Sequence, residues 1–100
     1  MPWPDQQPAK LLPADALRLV RELAAESGNV GLTHHCRERM RERGVTFRQV
    51  LNCLQRGVIV GGPAVDIYGN WKMDVYRRAD ELTCAVAIEW RSRLIVITVF

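Results

Sequence analysis

The chain is predicted to fold as an α+β domain, with N-terminal helices followed by a four-stranded, mostly antiparallel sheet. Two observations carry that expectation. Apolar residues recur at helical spacing up to Gly57, and beyond it the period drops to two. Helices gathered before strands, and not alternating with them, indicate α+β and a meandering sheet. One hundred residues suit one such domain, with a core that stands without disulfides or a structural metal.

Residues 1 to 12 contain three prolines (Pro2, Pro4 and Pro8) and no apolar period; they read as a flexible arm before a single domain over 13–100. Pro13 suits the first turn of a helix, in which Leu17, Val20, Leu23 and Ala24 recur on one side. Ser27-Gly28-Asn29 stops it. Thr33 is placed to cap a second helix that ends at Gly44. Thr46 caps a third, with Val50, Leu51 and Leu54 as its apolar stripe and Gly57 as its close. Only Gly44-Val45-Thr46 joins the two, so they form a tight helical hairpin.

Val58-Ile59-Val60 opens the first strand, with Gly61-Gly62-Pro63 as a turn or bulge. Trp71 to Arg78 alternates: Trp71, Met73 and Val75 face one way, and Lys72, Asp74, Tyr76 and Arg78 the other. Leu82 to Trp90 alternates as well. Arg93 to Phe100 is nearly all apolar, as a central strand covered on both faces is. Ala79-Asp80-Glu81 and Arg91-Ser92 have hairpin length.

Composition narrows the function. No segment approaches the roughly 20 apolar residues of a membrane span, and Met1 to Asp5 has neither the basic nor the apolar region of a secretory leader. A cytoplasmic location is expected. Cys36, Cys53 and Cys84 are odd in number and widely spaced, which suits buried, reduced thiols. Net charge is +3, but its distribution matters more. From His34 to Arg56 six arginines (37, 39, 41, 43, 48 and 56) face two glutamates (38 and 42), a local excess of four positive charges. Such a helix is suited to nucleic acid, although a solvated face with local Glu–Arg pairing has the same composition.

The second helix is the segment richest in chemistry. His35, Arg39 and Arg43 are spaced i, i+4, i+8 and lie along one stripe, while Cys36 and Met40 make the neighbouring apolar stripe. Imidazole exchanges a proton near neutrality, and guanidinium forks hold phosphate; together they suit a scissile phosphodiester. Arg37 and Arg41 point elsewhere and are candidate nucleic-acid contacts. Packing and solvation alone also account for such side chains. His34, His35 and Cys36 cannot converge on one metal ion, because successive helical side chains diverge by about 100°. No metal or cofactor is expected. On the sheet, Lys72, Tyr76 and Arg78 share a face that could meet an anion, and Thr98 is the one hydroxyl in the run from Leu94 to Phe100.

The pattern Thr33-x-His35-Cys36-x-x-Arg39-Met40-x-x-Arg43-Gly44-Val45-Thr46, then Leu54-x-x-Gly57-x-Ile59 and a closing Ile97-Thr98-Val99-Phe100, resembles a family of small bacterial domains of unknown function. Cys36 stands where those domains usually carry alanine. The resemblance covers residues 32–100 and extends to RelE/BrnT-like toxins of type II toxin–antitoxin pairs. It implies a RelE-like, BECR-type fold and a metal-independent endoribonuclease acting on mRNA, on or off the ribosome, in which the ribose 2′-OH attacks the adjacent phosphate. By position it makes His35 the acid or base and Arg39 and Arg43 the phosphate clamps, with Lys72 a further catalytic residue. It also implies an antitoxin partner of zinc-finger or helix-turn-helix type. The rival expectation is a basic module that binds nucleic acid or a protein without cutting.

Overall fold

The computed structural model describes residues 4–100. The part of the arm that includes Trp3 lies outside them. Helix α1 spans Pro13–Ala24, and Val30–Leu32 forms β1. Helices α2 (His34–Arg43) and α3 (Phe47–Arg56) follow, then strands β2 (Val58–Val65), β3 (Trp71–Arg77), β4 (Leu82–Glu89) and β5 (Arg93–Val99). The fold is α+β.

The sheet has five strands, not four, in the order β1-β5-β4-β3-β2. The extra strand, Val30-Gly31-Leu32, pairs in parallel with Leu94-Ile95-Val96, so the sheet is mixed. Three residues beside a Ser-Gly-Asn turn carry too short an alternation to be read locally; the pairing is made by a partner more than sixty positions away. The other three pairings are antiparallel. Arg78 also departs from expectation. β3 ends at Arg77, which is held to Asp80 by an ion pair at 3.2 Å, and Arg78 opens a 3₁₀ turn (Arg78–Asp80) closed by Glu81 in the left-handed region, φ 48°. It therefore does not share a strand face with Lys72 and Tyr76.

The helix boundaries follow local chemistry. The Thr33 hydroxyl accepts from the Cys36 amide at 3.0 Å and donates to the Ile97 carbonyl at 2.7 Å, capping α2 and fastening it to β5. Gly44, at φ 66°, supplies the left-handed residue that ends α2. Thr46 and Gln49 form a reciprocal capping box at the start of α3. Gly57 is required for closeness. A Cβ there would lie 2.5 Å from the Cys53 carbonyl oxygen and 2.7 Å from that of Tyr76.

One core joins the helices to the inner sheet face. Leu19 and Val20 of α1, Cys36 and Met40 of α2, and Val50, Cys53 and Leu54 of α3 meet Met73, Val75, Cys84, Val86, Ile88, Leu94 and Val96. Each fully buried Leu, Val, Ile or Met contributes about 1.5–3 kcal/mol of transfer free energy. The outer face is only partly covered. Ala85 and Ala87 of β4 are buried, but Ile95 and Ile97 of β5 are half-exposed, so β5 is central without being covered on both sides. The arm runs across one end of the sheet. The Trp71 indole donates to the Pro8 carbonyl at 3.0 Å, the Trp90 indole to that of Pro4 at 2.9 Å, and Gln7 to that of Gly69 at 2.8 Å. Both tryptophans thus serve packing and the arm.

Candidate nucleic-acid interface

Helix α2 presents its chemistry on two flanks. Burial of Cys36 and Met40 fixes the inward direction, and turns of 100° per residue place the rest. His35, Arg39 and Arg43 lie on one flank and Arg37 and Arg41 on the other, with His34, Glu38 and Glu42 outermost. The acids are engaged locally: His34 meets Glu38 at 2.9 Å and Arg39 meets Glu42 at 3.7 Å. Both contacts are exposed and individually weak.

His35 is exposed and makes no hydrogen bond or ion pair among the described residues. Arg37, Arg41, Arg43, Arg48 and Arg56 are likewise exposed, and none has an ion-pair partner among the described residues. Arg37 borders a hollow of about 350 Å³ with Phe47 and the edge strand Val30–Leu32. A free guanidinium beside a part-exposed aromatic ring and an unpaired strand edge suits a sugar–phosphate strand with a base stacked on the ring.

Lys72 lies elsewhere. It is exposed on the outer sheet face and borders a cleft with Asp74, Thr98 and Phe100; His35, Arg39 and Arg43 are not among the residues lining that cleft. The structure therefore brings His35 and Arg39 together on one helix and sets Lys72 apart from them. Tyr76 is half-buried on the same face as Lys72, and Arg78 is exposed in its turn. Asp74, which alternation alone assigns to an ordinary polar sheet face, proves to share the cleft with Lys72 and Thr98. The signal that marks it is the pair of small residues, Ala85 and Ala87, at the outward positions of the neighbouring strand.

The cysteines are excluded from surface chemistry. All three are free and buried. Burial pushes the Cys36 thiol up, with Arg37 opposing weakly. The adjacent Cys53 sulfur and burial together push the Cys84 thiol far above the ordinary range. Enclosed thiols, out of reach of solvent and held protonated at Cys36 and Cys84, are poor nucleophiles. Among the described residues there is no group of three or more His, Cys, Asp or Glu that could hold a metal ion.

The sequence profile of a domain family of unknown function, DUF4258, matches residues 32–100, from the end of β1 through β5. The chain belongs to the DUF4258 family. No curated protein and no solved structure matches it. The DUF4258 region contains both flanks of α2 and the outer-face cleft, while α1 and the arm precede it. Membership carries no activity with it, so function has to be argued from the surface. No helix among the described residues is long and apolar enough to cross a membrane.

Proposed function

We propose that this DUF4258 domain binds RNA through the basic surface of α2 and the start of α3. The observation that supports it most is the set of four exposed arginines there, Arg37, Arg41, Arg43 and Arg48, without ion-pair partners among the described residues, with Arg37 set beside Phe47. Unpaired guanidiniums on a helix offer phosphate contacts without first breaking an ion pair. A cytoplasmic setting, where RNA is present, suits this role.

A second reading keeps the resemblance to type II toxins. It is favoured by one feature: His35 is exposed and unengaged, one helical turn from Arg39. On this reading His35 moves the proton of the attacking 2′-OH or of the leaving 5′-oxygen, Arg39 and Arg43 hold the phosphate, and a cognate antitoxin protein masks the same helix. Lys72, on another face, would have no direct part in that step.

One experiment separates the two. Binding and cleavage of a labelled single-stranded RNA are measured for the wild type, His35→Ala and the double variant Arg37→Gln/Arg41→Gln. The binding module predicts retention of RNA without cutting, loss of affinity in the arginine variant and none in His35→Ala. Cleavage abolished by His35→Ala, with binding intact, would establish the nuclease. No binding by the folded wild type would overturn both.

A further inference from the structure

The outer face of the sheet holds a cleft apart from α2. Its cleft has a volume of about 350 Å³ and is bordered by Gly61, Gly62, Lys72, Asp74, Thr98 and Phe100. That volume lies at the lower end of the range for small-ligand sites, roughly 300–1,000 Å³. Strand register explains its shape. Gly61, Asp74, Ala85 and Thr98 are lateral partners in one row, and Ala64, Lys72, Ala87 and Ile95 in the next. Neighbouring strands are about 4.8 Å apart, so Asp74 and Thr98 stand roughly 9–10 Å apart with only the Ala85 methyl between them. A Cβ on Gly61 would fall 2.8 Å from Asp74 Oδ2; glycine there leaves room for the carboxylate.

Three polar residues border this cleft without partners among the described residues. The Thr98 Oγ1 atom is buried and makes no hydrogen bond. Leaving such a hydroxyl unsatisfied costs about 1–3 kcal/mol. The Asp74 carboxylate is half-buried and has neither hydrogen bond nor ion pair, and the Lys72 ammonium has no carboxylate partner. A ligand that satisfies all three carries an anion for Lys72, N–H donors for Asp74 and a polar edge for Thr98. It also has a flat face for the Ala85 floor and for Phe100, which is 46% exposed.

We propose that the cleft binds one guanosine nucleotide. The choice of a nucleotide rests on the RNA-binding role proposed above; the choice of guanine rests on the cleft. Guanine alone among the four bases presents two adjacent donors, N1–H and N2–H, which a carboxylate accepts together. With N1–H and N2–H on Asp74 and the ring lying over Ala85, N7 on the far side of the purine is left to accept from the Thr98 hydroxyl. The phosphate lies at Lys72, and Phe100 stacks on the base.

The test is titration of the full chain with GMP, AMP, CMP, UMP and inorganic phosphate, followed by calorimetry and by amide shifts in NMR spectra, which also report folding. GMP is expected to bind at least tenfold more tightly than the other four. Asp74→Asn should bring GMP to the level of AMP, Lys72→Met should weaken all four nucleotides alike, and Arg37→Gln/Arg41→Gln should leave GMP binding unchanged. No GMP binding by the folded wild type, equal affinity for the four nucleotides, or an Asp74→Asn variant that still prefers GMP would each overturn the proposal. Those results leave RNA binding by α2 standing. Conversely, GMP selectivity without RNA binding to α2 would leave the cleft standing alone.

Discussion

Replacing Arg37 and Arg41 with glutamine should change the salt dependence of RNA binding more than it changes the fold. The two guanidiniums lie one helical turn apart on one flank of α2, exposed and without ion-pair partners among the described residues. Glutamine keeps a good helix former and part of the stem while removing charge. For single-stranded nucleic acid, each neutralised phosphate contributes about 0.7 to the slope of log affinity against log salt. Four such arginines (Arg37, Arg41, Arg43 and Arg48) engaged together give a slope of about −2.8, and losing two reduces its steepness by about 1.4. Between 50 and 200 mM salt, affinity then falls by roughly fiftyfold for the wild type and by roughly sevenfold for the double variant. Fluorescence anisotropy with a labelled single-stranded RNA over that range measures both slopes. Arg18→Gln and Arg93→Gln serve as controls, since these arginines are paired with Asp15 and Glu89 and should leave the slope alone. An unchanged slope in the double variant, or an equal change in the controls, would refute the assignment of the interface to α2.

Other expectations concern the scaffold that holds this surface. Thr33→Ala removes the α2 cap and the tie to Ile97, and should cost about 1–2 kcal/mol in urea unfolding, with Thr33→Ser recovering most of it. Gly57→Ala forces a methyl against two carbonyl oxygens and should cost about 1–3 kcal/mol or abolish folding, whereas Gly28→Ala, where a Cβ meets nothing within 4 Å, should be mild. The Cys36 thiol has a raised pKa in the folded protein because it is buried, so its contribution to stability is complete below the unfolded thiol value of about 8.5 and declines as pH rises above it. The decline should approach about 1.4 kcal/mol per pH unit while that thiol stays protonated, read from urea midpoints between pH 7.5 and 10. The native protein should resist a disulfide thiol reagent that modifies all three cysteines after unfolding.

What could be read from the sequence was local. Thr33, Gly44, Thr46 and Gln49 act within a few residues of themselves, so the bounds of α2 and α3 follow from the sequence. The inward alternation of Trp71, Met73 and Val75 also follows, because one side of the strand must meet the core. What was missed is non-local. β1 exists because of β5, and Arg78 leaves the strand because Arg77 and Asp80 close a turn behind it. The cleft depends on the register that sets Asp74, Ala85 and Thr98 in one row, which no single strand records. At α2, spacing alone aligned His35 with Arg39 and Arg43, but it could not set Lys72 on a different surface.

Contact between RNA and the basic surface of α2 can be read residue by residue in an NMR titration of the isotopically labelled chain with a short single-stranded RNA. The largest amide and Arg Nε shifts are predicted at Arg37, Arg41 and Arg43 and at Phe47 and Arg48, and they should weaken as salt is raised. Shifts confined to α1 or to the turn from Asp66 to Asn70, or none at saturating RNA, would show that RNA does not bind at α2.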